Sequence, residues 1–142
     1  MKLRCRFYAS HGSKPIFTSL GARCDRGGSR YAYLESLLDD AALQPYVHDC
    51  LLTVKERNRL HRFRIFFKRH VLLPLNGAVQ SLGTAAFKGD VVIARVAVRD
   101  EVSLVNMRAR DGILADFAMR KFVRYAKAIR ARQIPRCLTF AF

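Results

Sequence analysis

The residues of this chain best equipped for chemistry are scattered rather than assembled. His11, His48, His61 and His70 stand apart among charged and aromatic neighbours and offer neither an H-x-H nor an H-E-x-x-H ligand spacing. Cys5, Cys24, Cys50 and Cys137 form no C-x-x-C pair, so neither a zinc site nor a secreted disulfide framework is expected, and reduced thiols are the simpler reading. The glycines complete no G-x-x-x-x-G-K-[ST] loop, no G-x-G-x-x-G turn and no G-x-S-x-G nucleophile elbow. A non-enzymatic protein without metal or cofactor is the expectation. A small enzyme acting on a phosphorylated substrate ranks third among the readings, because no general base or nucleophile stands out.

What the chain has in quantity is cation, and it comes in blocks. Residues 1–30 carry seven Lys/Arg against one acid, 55–70 seven against one, and 108–136 nine against two. Residues 31–54 hold four acids and no Lys or Arg, residues 71–107 balance, and the net charge is +15. Such blocks point to a polyanionic partner. Arg outnumbers Lys, which suits phosphate, because guanidinium offers a bidentate fork and a planar face where ammonium offers a point charge.

The densest block, residues 55–70, predicts an amphipathic helix in which Leu60, Phe63, Phe67 and Val71 share one stripe. Around that stripe lie Arg57, Arg59, Arg62, Arg64, Lys68 and Arg69, with Phe66 placed to stack on a base. A second amphipathic helix is predicted over 111–132. Leu114, Ala118, Phe122, Tyr125, Ala126 and Ile129 form its apolar face, and Arg120, Lys121, Arg124 and Lys127 the opposite one, with Phe117 as a second stacking candidate. Between strand and helix, Arg108-Ala-Arg110-Asp111 places two cations at a helix start. There they are candidates for holding a phosphate, against the competing claim of Asp111 as a cap.

The elements that must position these side chains follow from period and punctuation. Residues 31–43 read as a helix, Gln44-Pro45 breaks it, and 47–54 resume a helical period. Residues 91–98 are Val-rich and apolar on both alternating sets, so they read as a strand covered on both sides, with 102–107 as its hairpin partner. Residues 1–30 read as a basic arm, flexible by composition, with a short strand at 15–20, ahead of one globular domain over 31–142. The expected fold is α+β: two or three helices packed on a β-hairpin or small antiparallel sheet, preceded by the basic arm.

The leading functional expectation is binding of RNA or DNA by phosphate contacts without strong sequence specificity. The alternative is a peripheral module for an anionic membrane surface or an acidic protein. No apolar run approaches the ~20 residues that span a bilayer, so a soluble intracellular protein is expected. The Arg- and Ser-rich start, with Arg6-Phe7-Tyr8-Ala9-Ser10, also suits a mitochondrial transit segment, although Gly12, Pro15 and Gly21 interrupt any long helix there.

Overall fold

Among the described residues ahead of the last helix, strands with apolar side chains on alternating positions build a sheet. The computed structural model describes residues 2–21, 47–69, 72–99, 103–128 and 133–142. β1 (Lys2–Tyr8) and β2 (Ile16–Gly21) form an antiparallel pair. β3 (Val47–Glu56) and β4 (Arg59–Lys68) form a second, in register from Val47↔Lys68 to Glu56↔Arg59. A four-residue helix, α1 (Gly77–Gln80), precedes β5 (Val91–Val96) and the two-residue β6 (Leu104–Val105). The long helix α2 (Asp111–Ala128) and β7 (Cys137–Ala141) follow.

The seven strands make one mixed sheet in the order β2-β1-β5-β4-β3-β7, with β6 paired to β5. All neighbours are antiparallel except β3 and β7, which run parallel. This overturns the expected fold of helices on a small hairpin sheet. Of the helix expected over 55–70, residues 55–68 are instead the end of β3, a two-residue turn and β4, because Phe63, Ile65 and Phe67 fall on one face with Cys50, Leu52 and Val54 beside them. β-branched and aromatic residues at that spacing suit a pleated strand, and pairing across the hairpin outweighs the helical reading of the same apolar positions. Of the basic arm expected over 1–30, residues 2–21 hold two strands of the sheet: β1 lies between β2 and β5, with Cys5 and Tyr8 fully buried, and residues 22–30 lie outside the described residues. The helix expected over 31–43 lies outside the described residues.

One face of the sheet carries α2. Leu114, Ala115, Ala118, Met119, Phe122 and Val123 join Tyr8, Leu52, Phe63, Ile65, Phe67 and Ile93 in the main core. Phe67 meets Phe122 at 5.2 Å between ring centroids, and Phe87 closes the group at 6.3 Å from Phe122. Each such large side chain contributes roughly 1.5–3 kcal/mol by burial. The helix approaches closely where its residues are small: a Cβ on Gly112 would stand 2.9 Å from the Phe17 ring. The other face has a smaller cluster of Leu3, Cys5, Phe66, Val92 and Ala94. β5 is therefore buried on both sides, as its two apolar sets require.

Asn76 locks the junction ahead of β5. Almost fully buried, it accepts from the Val79 N–H at 2.9 Å and donates to the carbonyls of Tyr8 (2.8 Å) and Gly89 (2.7 Å). Gly77 beside it must lack a side chain, since a Cβ there would collide with the backbone oxygen of Gly12. No helix among the described residues is long and apolar enough to cross a membrane.

Candidate functional site

Helix α2 holds two acids, and both are turned into the protein and occupied. Asp111, 1% exposed, reaches back to accept from the backbone N–H of Arg108 at 2.7 Å, the reciprocal half of a capping box. Its other oxygen is bound by the Arg95 guanidinium from β5. One helical turn on, Asp116 takes both arms of Arg6, Nε at 3.1 Å and Nη2 at 2.9 Å, and the Tyr8 hydroxyl at 2.7 Å. Burial pushes the Tyr8 phenol well above its ordinary pKa, and the neighbouring Asp116 carboxylate pushes it the same way. Arg6 and Arg4 also stand over the Phe17 ring, at 4.6 and 4.3 Å from its centroid, within cation–π range. The pairing of Asp111 and Asp116 thus comes from β5 and β1 and leaves the side chains of Arg108 and Arg110 to the surface.

The outward stripe of α2 is left to cations. At 100° per residue Lys127, Arg120, Ile113, Arg124, Phe117 and Lys121 occupy one arc. Arg124 and Lys127 are exposed, Arg120 and Lys121 half-buried. Phe117 is half-buried too: it meets Phe142 edge to face at 5.0 Å, and the Lys121 ammonium lies 5.6 Å from its ring. Arg108 and Arg110 are exposed just ahead of the first turn.

The hairpin treats its charges differently. Arg57 sits in the two-residue turn with φ 53°, a left-handed conformation that favours glycine. Arg59 emerges on the α2 side. Arg62, Arg64 and Lys68 alternate onto the opposite side of the sheet, where Arg64 pairs with Asp49 at 2.7 Å and Lys68 is only 4% exposed. Arg69 follows the strand end. Phe66 is fully buried in the second cluster, so the stacking role expected for it is withdrawn, since no ring face is open to a base. The sheet thus separates Arg62, Arg64 and Lys68 from Arg120, Arg124 and Lys127.

Where the hairpin end meets the start of α2, a cavity of about 270 Å³ opens, lined by Glu56, Arg59, His61, Arg110, Asp111, Ile113, Leu114 and Phe142. His61 Nε2 lies 3.7 Å from Glu56 Oε1, too far for a hydrogen bond, and both ring nitrogens are buried without a hydrogen-bond partner among the described residues. The sequence places Arg59 on the helix expected over 55–70 and Arg110 at the junction ahead of the last helix, and does not point to Glu56, Ile113 or Phe142. The one local signal for the cavity was the Arg57-Asn58 turn, which folds Glu56 back beside His61.

Two thiols, Cys5 and Cys50, are buried. Burial pushes the Cys5 and Cys50 thiols up to about 12, so thiolate is scarce at neutral pH. Among the described residues no group of three His, Cys, Asp or Glu is placed to hold a metal ion. No protein family, curated protein or solved structure matches the chain.

Proposed function

We propose that the protein binds RNA or DNA through the outer face of α2, by phosphate contacts without strong sequence specificity. The observation that carries this reading is the disposal of the helix's own carboxylates. With Asp111 held by Arg95 and Asp116 by Arg6 and Tyr8, the stripe of Arg120, Lys121, Arg124 and Lys127 has no acid on α2 to neutralise it. Each cation that meets a phosphate releases condensed counterions, which drives association whatever the base sequence. Arg120 and Arg124 add forked donors suited to phosphate oxygens. The net charge of +15 extends the attraction beyond the contact itself.

A second reading has its own observation. Ile113, 67% exposed, stands within the cationic arc, and an apolar side chain among cations is what a helix lying on an anionic membrane inserts. Fluorescence anisotropy with a 20-nucleotide RNA and a 20-base-pair duplex tests the first reading, and sedimentation with phosphatidylserine vesicles the second. Nucleic-acid affinity that falls steeply with added salt is expected. Retention on vesicles with no nucleic-acid binding at low salt would replace the first reading with the second.

A further inference from the structure

We propose that the cavity between the β3–β4 hairpin and the first turn of α2 is a site for a nucleoside monophosphate, either free or as the 5′-terminal residue of a strand. The choice of a nucleotide rests on the nucleic-acid reading above; the existence of an organic-anion site rests on the cavity itself. Arg59 and Arg110 reach it from different elements, both exposed and without an ion pair among the described residues. They form the cationic mouth. Beside Arg59 on the same hairpin the lining is polar but unsatisfied: Glu56 is the cross-strand partner of Arg59, and both ring nitrogens of His61, 3.7 Å from the Glu56 carboxylate, are buried without a hydrogen-bond partner among the described residues. Buried polar atoms are nearly always bonded, and a turn of the ring toward the cavity it lines would give this imidazole a partner there. The remaining lining is apolar and open, with Ile113 67% and Phe142 56% exposed.

These three walls define the ligand by its parts. An anion fits between Arg59 and Arg110 and is repelled by the Glu56 and Asp111 carboxylates that share the lining. A planar apolar body lies against Ile113 and Phe142, where an aromatic ring can stack. A hydrogen-bonding edge with an amino donor and a ring acceptor meets Glu56 and His61, since carboxylates accept from the exocyclic amines of bases. A nucleobase on a sugar phosphate has all three. The volume of about 270 Å³ falls just below the ~300 Å³ where small-molecule pockets usually begin, room for one nucleotide rather than a dinucleotide.

Isothermal titration with AMP and CMP, set against adenosine and inorganic phosphate, tests the site. Saturable binding of a monophosphate is expected, weakened at least tenfold by Arg59→Gln with Arg110→Gln and by His61→Phe, and unchanged by Lys14→Gln on a distant loop. If His61→Phe fails to fold by circular dichroism, the exposed Arg pair still decides. No AMP binding at millimolar concentration overturns the proposal, as does binding that survives both sets of substitutions. Adenosine or inorganic phosphate binding as tightly as AMP also overturns it, because one wall would then contribute nothing. A 5′-phosphorylated decanucleotide that binds more tightly than its 5′-hydroxyl form identifies strand ends as the source of the ligand, and equal affinity with AMP binding intact identifies free nucleotide. Strand binding that persists without any AMP binding refutes this site and leaves the α2 reading standing.

Discussion

Two segments of this chain carry almost the same charge in sequence and present it in opposite ways. Residues 55–70 hold seven cations against one acid and residues 108–136 nine against two, yet only the second yields a concentrated surface. The difference is the period of the backbone. A strand sends alternate residues to opposite faces, so β4 and its turn divide their cations between Arg59 on the α2 side and Arg62, Arg64 and Lys68 on the other, where Asp49 meets Arg64. A helix gathers positions three and four apart, so α2 collects Arg120, Arg124 and Lys127 in one arc while its two acids fall inward and are taken by Arg95, Arg6 and Tyr8. Charge density along a chain becomes charge density on a surface only when the local fold stacks it.

The largest test of that contrast compares one buried aromatic from each face. Phe122→Ala and Phe66→Ala should each destabilise the protein by about 3–5 kcal/mol, since both rings are fully buried and each leaves a cavity. Chemical denaturation measures both. A Phe66→Ala protein of unaltered stability and weakened RNA binding would make the sheet's second face the interface and break the comparison. Asp116→Ala comes next. It strands the buried Tyr8 hydroxyl and unpairs Arg6, for a loss of about 2–3 kcal/mol, while leaving nucleic-acid affinity unchanged below the melting range. A rise in affinity instead would mean that Asp116 faces the polyanion and repels it.

The smallest effect belongs to the far end of the hairpin. Burial, then the charge of Arg69, hold the His48 imidazole below its ordinary pKa, against a weaker upward pull from Asp49. Its folded pKa therefore lies beneath the unfolded value of 6.5, so its contribution to stability is present above that pH and lost as pH falls through the folded pKa. His48→Gln should shrink the fall in melting temperature between pH 7 and pH 5. An unchanged fall would show that His48 is not held below its ordinary pKa in the folded protein.

The parts of the fold legible in sequence were those whose signal is local. α2 announced itself by sixteen or more residues of steady period and a capping Asp111, and β5 by Val residues on both alternating sets. Its apolar face was read correctly at Leu114, Ala118 and Phe122, which the structure buries. The hairpin was not legible as such, because Leu60, Phe63 and Phe67 satisfy a helical spacing. What decides for strand is pairing with β3 and β5, which no local window contains. β1 was hidden for the same reason: its partners β2 and β5 include residues some 85 positions downstream, as in Arg6↔Ile93. At the site, the cations of α2 were named from sequence, whereas their freedom from neutralisation was not. The partners of Asp111 and Asp116 come from β5 and β1, and only the folded sheet brings them there.

The salt dependence of duplex binding tests the central claim most directly. Four α2 cations contacting four phosphates contribute about −3.6 to the slope of log K against log salt concentration. Replacing Arg120, Lys121, Arg124 and Lys127 together by Gln should flatten the slope by about that amount, with circular dichroism and melting temperature essentially retained because these side chains lie on the outward arc. The paired substitution Arg62→Gln with Arg64→Gln should shift it by less than about one unit. A slope that survives loss of the α2 cations and collapses with Arg62 and Arg64 would contradict the account and move the interface across the sheet.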